Sequence, residues 1–167
     1  MNFAQFFSNL TTGEGLALIG AALAVILPGM GSAKAVGSVG ESLNGLLSED
    51  PSKFGKAFLL QALPATQGIY GFIVAFMVMM NIGILGGDRV TTLGGGLYYL
   101  FACLPIAFCG YHSAIRQGRV ASAGIAMVAK RPEASGKAVT ATAMVELYAL
   151  LSLIASFLLV VSYPGNL

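Results

Sequence analysis

The sequence contains few charged residues. Of its 167 residues, only 10% are Asp, Glu, Lys or Arg, whereas 56% are hydrophobic. A soluble domain carries about 25% charged residues, so water could not solvate such a surface and we expect the chain to lie in a lipid bilayer. The net charge is only +2 and the basic residues stand at the ends of apolar segments, which argues against a nucleic-acid partner.

Side chains for metal binding or covalent chemistry are also scarce. Tryptophan is absent, and the chain has two cysteines, Cys103 and Cys109, and one histidine, His112. Six residues apart on a helix, the cysteines point to different faces and cannot easily pair. His112 is the single histidine of the chain, and we do not expect it to bind a metal. No Gly-x-x-x-x-Gly-Lys-Ser/Thr motif is present, so we expect no enzyme activity of the chain on its own.

Four long apolar segments dominate the sequence, at about residues 13–47, 53–85, 92–129 and 134–162. Each exceeds the roughly 20 residues that a helix needs to cross the hydrocarbon core. The breaks between them are short and polar, at residues 48–52, 86–89 and 130–133. The first ten residues contain no Lys or Arg, unlike a signal peptide, so we expect the first segment to be retained. The sequence predicts an all-α membrane protein with four transmembrane helices.

The two halves of the chain form a repeat. A shift of 81 residues, without a gap, pairs Pro51 with Pro132 and Lys56 with Lys137. The matched Pro-x-x-x-Gly-Lys-Ala pattern indicates two fused helical hairpins in parallel topology. We place the first hairpin at residues 1–86 and the second at residues 87–167.

The basic residues predict the orientation in the membrane. Eight of the nine lie towards the first and third breaks, and only Arg89 lies at the opposite end. The positive-inside rule therefore places the first and third loops in the cytoplasm and both termini outside. Arg116 and Arg119 are expected in the cytoplasmic part of the third helix, with their side chains extending to water.

Small residues recur every four positions in two helices. The first stripe consists of Gly29, Ala33 and Gly37, and the second stripe consists of Gly110, Ala114, Gly118 and Ser122. Such stripes let helix backbones approach closely in lipid. The pattern is compatible with the inner layer of a ring of copies and with ordinary packing inside a monomer.

Glu146 is the acidic residue that lies near the middle of an apolar segment. It follows Lys137 by nine residues, which is about 13 Å along a helix and places it near the bilayer midplane. A carboxylate there costs roughly 2.5–3.5 kcal/mol or more, so it is usually functional. The alternative is a structural partner for another polar group.

Neutral oxygens are expected near the same depth. Under the repeat, Ala65 of the second segment aligns with Glu146, and its neighbours are Pro64, Thr66 and Gln67. A proline disturbs helical hydrogen bonding and loosens nearby carbonyls. Gln117 of the third segment adds a further amide. These groups together suit a small hard cation, although Thr and Gln also serve as helix–helix hydrogen bonders.

The chain resembles the rotor-ring proteolipid of V-type ATPases, a duplicated form of the ring protein of rotary ATPases. The resemblance covers almost the whole chain and is strongest at residues 29–33, 63–71, 117–120 and 144–149. It implies a homo-oligomeric ring that contacts a stator membrane subunit, with a central stalk at the cytoplasmic loops, in a cell membrane. In the sodium-pumping members the ion is held by the positions that match the Leu63 carbonyl, Thr66, Gln67, Gln117 and Glu146. The position of Tyr70 hydrogen-bonds the carboxylate.

The sequence leaves alternatives both for the coupling ion and for the role of the chain. A proton site needs only a carboxylate, whereas a hydroxyl and two amides converging on it favour Na⁺ over H⁺. A self-contained ion transporter would need its own gate and an acid in each half. A purely structural proteolipid would give Glu146 no purpose.

Overall fold

The computed structural model describes residues 12–86 and 92–165. Within these ranges it contains four helices long and apolar enough to cross a membrane, at Gly13–Glu49 (α1), Pro51–Asn81 (α2), Leu93–Lys130 (α3) and Pro132–Val161 (α4). The predicted all-α fold is confirmed, with helix ends within a few residues of the expected ones. Most of the second break, including Arg89, lies outside the described residues.

The helices begin at the residues that their sequences favour. Thr12 and Thr92 cap α1 and α3, since their hydroxyls accept hydrogen bonds from Gly15 N at 3.1 Å and Gly95 N at 3.2 Å. α2 and α4 each open with a proline in a 3₁₀ turn, at Pro51–Lys53 and Pro132–Ala134. At this position the missing proline N–H leaves no hydrogen bond unmade.

The first loop is held by Asp50. Hydrogen bonds from the Ser52 side chain, and next from Lys53, keep the pKa of Asp50 below its usual value. Lys53 also donates to the Ala129 carbonyl at 2.9 Å, just before the third loop. The first and third loops therefore lie at the same end of the molecule.

α2 is interrupted at Pro64. Its α-helical parts, Phe54–Ala62 and Thr66–Asn81, are joined by the 3₁₀ turn Leu63–Ala65. Proline has no N–H to donate to the preceding turn, so the helix tightens there. The predicted disturbance at Pro64 is confirmed, and it immediately precedes Thr66 and Gln67.

Glycine permits the closest helix contacts. A methyl group added at Gly71 of α2 would overlap the Ala24 carbonyl oxygen of α1, and one at Gly96 of α3 would overlap Gly13 of α1. Helices in lipid have no hydrophobic driving force to associate, so close van der Waals packing at such small residues holds them together. The most apolar stretch of α3 is 44% buried, against 22% for α4. α4 is therefore an outer helix, and it exposes bulky side chains such as Met144, Tyr148, Leu151 and Leu158.

Two apolar clusters enclose a polar layer. One cluster includes Ala24, Val74 and Ile106, and the other includes Val39, Leu60, Ala121 and Ala138. Between them along the four helices lie the buried polar residues Ser32, Gln67, Ser113, Gln117 and Thr142. The fold thus gathers five of the seven buried polar side chains of the described residues at one depth, where they can form hydrogen bonds.

Candidate ion-binding site

Glu146 lies at the middle of α4. It follows Pro132 by 14 residues and precedes Val161 by 15, and its side chain is half-buried. The Tyr70 hydroxyl of α2 donates to Glu146 Oε1 at 2.5 Å. This bond orients the carboxylate and turns one of its oxygens towards α2.

Gln117 links three helices at the same depth. Its side chain is fully buried, and Nε2 donates to the Thr142 carbonyl at 3.2 Å and to Glu146 Oε2 at 3.4 Å. Its Oε1 accepts from Gln67 Nε2 at 2.6 Å. Gln67 of α2, Gln117 of α3 and Glu146 of α4 thus form one hydrogen-bonded series.

One oxygen of this series has no hydrogen bond. Gln67 is fully buried, and its Oε1 lacks a partner among the residues that the structure describes. An unsatisfied buried acceptor costs about 1–3 kcal/mol. A cation held between Gln67 and Glu146 would satisfy it.

Thr66 and Leu63 stand beside this series. The Thr66 hydroxyl donates to the Leu63 carbonyl at 2.9 Å and has a hydrogen-bond interaction with the Tyr70 side chain. The structure therefore brings all six predicted residues into one connected group. The Leu63 carbonyl also accepts the Thr66 N–H, so its place as an ion ligand depends on the family resemblance.

The oxygens of the group suit a hard monovalent cation. Carboxylate, amide, hydroxyl and carbonyl oxygens can replace the water around such an ion, and interrupted membrane helices commonly supply them. Within residues 12–86 and 92–165, no cluster of three His, Cys, Asp or Glu side chains is present. No ion pair to Glu146 is formed in that part of the chain, so no fixed cationic side chain occupies the place of a mobile cation.

Sequence reasoning missed three supporting residues. The Thr142 carbonyl holds Gln117, Ser32 Oγ accepts the Gly68 N–H at 3.0 Å, and Ser113 Oγ donates to the Val145 carbonyl at 3.0 Å. Thr142 could have been found because it lies four residues before Glu146, on the same helix face. Ser32 and Ser113 coincide under the 81-residue shift.

Comparisons with known proteins give a consistent result. The family model of the ATP synthase C subunit matches the chain twice, at residues 19–78 and 100–159. The second match starts 81 residues after the first, which is the shift of the sequence repeat. The chain is 49% identical to the V-type sodium ATPase subunit K of Enterococcus hirae over 146 residues, which cover 87% of this chain and 90% of that protein. It is 38% identical to the A-type ATP synthase subunit K of Methanocaldococcus jannaschii over 152 residues, covering 90% of this chain and 64% of that protein.

Proposed function

This chain belongs to the family of the ATP synthase C subunit, and from that membership we propose that it is a rotor subunit of a V-type ATPase that carries Na⁺ at Glu146. The observation that carries the proposal is the hydrogen-bonded series Gln67–Gln117–Glu146–Tyr70 at the middle of the helices. A relative of 49% identity is named as a sodium ATPase subunit, which supports the choice of ion.

Copies of the chain form a ring in the bilayer and rotate against a stator membrane subunit. Each Glu146 receives Na⁺ from one side, moves past lipid while the ion neutralises it, and releases the ion to the other side. Because a bare carboxylate in hydrocarbon is unfavourable, rotation depends on occupancy of the site. Moving one charge through 100 mV involves about 2.3 kcal/mol, so several ions accompany each ATP hydrolysed on another subunit.

Sodium is favoured over the proton by the neutral oxygens. A proton needs only the carboxylate, and it would leave Gln67 Oε1 buried without a partner. The amides of Gln67 and Gln117, with the Thr66 hydroxyl, offer oxygens to a desolvated cation. Tyr70 acts as a supporting group that orients the carboxylate.

The test of the proposal is the reaction of Glu146 with a carboxyl-specific carbodiimide. We expect millimolar Na⁺ to slow the labelling of Glu146 in purified protein, because the bound ion displaces the proton that the reagent requires. Potassium at equal ionic strength should leave the rate unchanged. Mass spectrometry of the labelled chain over a range of pH measures the effect. A rate that is insensitive to Na⁺ identifies H⁺ as the coupling ion.

A second prediction concerns orientation. The first and third loops lie at one end of the molecule, next to most of the basic residues, so we place them in the cytoplasm against a central stalk and both termini outside. In a background without Cys103 and Cys109, cysteines at Ser48 or Glu133 should react with an impermeant maleimide only after permeabilisation. Gly86→Cys, at the opposite end, should react in intact cells. The reverse pattern would overturn the orientation.

A further inference from the structure

One face of α1 is left open by the rest of the chain. The first stripe lies on this face, and a methyl group added at Gly29 or Gly37 would meet no atom within 4 Å in the part of the chain that the structure describes. α3 also has an exposed face. Three of its exposed residues, Cys109, His112 and Arg116, lie on one face, which we call the α3 ridge.

The second stripe, by contrast, is covered within the chain. A methyl group added at Gly110 would lie 3.0 Å from Pro28 Cβ, and one added at Gly118 would lie 2.7 Å from Ala35 Cβ. The α1 residues that cover this stripe form the α1 ridge, which consists of Pro28, Gly31 and Ala35. A stripe on one helix and a ridge on its neighbour therefore form the α1–α3 contact.

The 81-residue repeat relates the two sets of residues. It aligns Gly110, Ala114 and Gly118 of the second stripe with the three residues of the first stripe, and it aligns the α1 ridge with the α3 ridge. The second stripe and the α1 ridge, which cover each other within the chain, thus correspond to the first stripe and the α3 ridge, which are open. If α3 of one copy packs on α1 of the next copy as α1 packs on α3 within a chain, the α3 ridge of the first copy lies on the first stripe of the second.

We propose that a second copy of this chain covers the first stripe, with its Cys109, His112 and Arg116 lying on Gly29, Ala33 and Gly37. The interface is head-to-tail, since each copy offers its first stripe to one neighbour and its α3 ridge to the other, and such contacts close into rings. The inference rests on the proposed rotor function, and it adds the register of the contact between copies.

Charge at the two faces agrees with this register. Arg116 and Glu41 are both exposed, and neither forms an ion pair among the described residues. Glu41 follows Gly37 by four residues, so it lies one turn further along the same face of α1. With Arg116 seated on the neighbour's Gly37, its guanidinium can reach that neighbour's Glu41 and form a paired contact. Arg116 adjoins Gln117 and therefore lies near the depth of Glu146, deeper than the cytoplasmic part of α3 that the sequence predicted. An arginine at this depth without such a partner is costly.

A disulfide between copies tests the register. Cys109 is a free, exposed cysteine, so the single substitution Gly29→Cys supplies its partner. At the equivalent pair within the chain, a Cβ on Gly110 would lie 3.0 Å from Pro28 Cβ. A disulfide needs a Cβ separation of about 3.5–4.5 Å, so the pair between copies requires only a small outward shift. After mild oxidation of the purified oligomer, a denaturing non-reducing gel should show a ladder of dimers, trimers and larger linked species.

Two controls define the result. Adding Cys109→Ala to Gly29→Cys should remove the ladder, and Ala33→Cys, one turn away, should link to Cys109 at least about tenfold more slowly because its Cβ lies a full turn, about 5 Å, further along the helix. In the Gly29→Cys background, Arg116→Glu should lower the linked fraction and added Glu41→Arg should restore it. An unchanged linked fraction would overturn the Arg116–Glu41 contact.

The mass of the same sample under native conditions separates the two proposals. A large closed oligomer without a Gly29→Cys ladder would overturn the register while leaving the rotor function in place. A monomer would overturn the rotor function itself. A large oligomer with the ladder supports both.

Discussion

Replacing Glu146 with glutamine is expected to abolish ion transport while the ring still assembles. The amide lacks the negative charge that balances a cation in lipid, so we expect at least about a hundredfold loss, since even supporting groups of a metal site are worth 10- to 100-fold in affinity. The fold should survive because the glutamine oxygen can still accept from Tyr70. The bond that is lost, from Gln117 Nε2, is long at 3.4 Å, and Gln117 keeps its bond to the Thr142 carbonyl.

Sodium uptake into membrane vesicles, driven by ATP in the assembled complex, measures the loss. Glu14→Gln is a matched control, because it removes a carboxylate from the first turn of α1, far from the site. Glu146→Asp should give intermediate transport, since the shorter side chain keeps the charge but withdraws its oxygens from Tyr70 and Gln117. Near-normal uptake by Glu146→Gln would contradict the assignment of Glu146 as the ion carrier.

Much of the fold could be predicted because a bilayer leaves few choices. Only helices satisfy their own backbone within a short single segment, so long apolar runs separated by Pro-containing breaks define α1 to α4. The interruption at Pro64 followed from the missing N–H of that residue. The duplication was detectable because matched prolines and glycines occupy special helix positions in both halves.

The site could be predicted in composition but not in its connections. Glu146 is conspicuous as an acid in hydrocarbon, and Gln67 and Gln117 are conspicuous as amides. Their spacing does not say which amide donates to which, because the relative rotation of three helices decides it. The role of the Thr142 carbonyl is harder still to foresee, since helix carbonyls normally accept only from their own backbone.

The stripes illustrate the same limit. Both stripes have the same spacing, and the sequence alone predicted close packing for each. Within the described chain only the second stripe is covered, because α1 and α3 meet once inside a chain, while the first stripe remains open. Spacing identifies a packing surface, and the surrounding structure decides whether its partner belongs to the same chain.

Gln117→Leu is expected to lower the affinity for Na⁺ by about a hundredfold while the site still binds protons. The substitution keeps a similar volume, but it removes an oxygen beside the carboxylate and leaves Gln67 Nε2 without the acceptor that it has at 2.6 Å. Loss of that partner in a buried site also costs about 1–3 kcal/mol of stability, which should appear as a lower unfolding temperature of the purified ring.

The decisive comparison is between Na⁺ protection and transport in the same variant. If Na⁺ is the coupling ion, Gln117→Leu should need about a hundredfold more Na⁺ than the unaltered protein to slow carbodiimide labelling of Glu146, because a ligand oxygen is lost, and transport at low Na⁺ should fall in parallel. Gln61→Leu makes the same chemical change in α2 outside the hydrogen-bonded series, and it should leave both properties unaltered.

If Gln117→Leu transports normally, the amides only hold the helices together and the carboxylate alone carries a proton. The buried, unpaired Gln67 Oε1 favours Na⁺ as the coupling ion. A cation between Gln67 and Glu146 would give that oxygen a partner, whereas a proton on Glu146 would leave it without one.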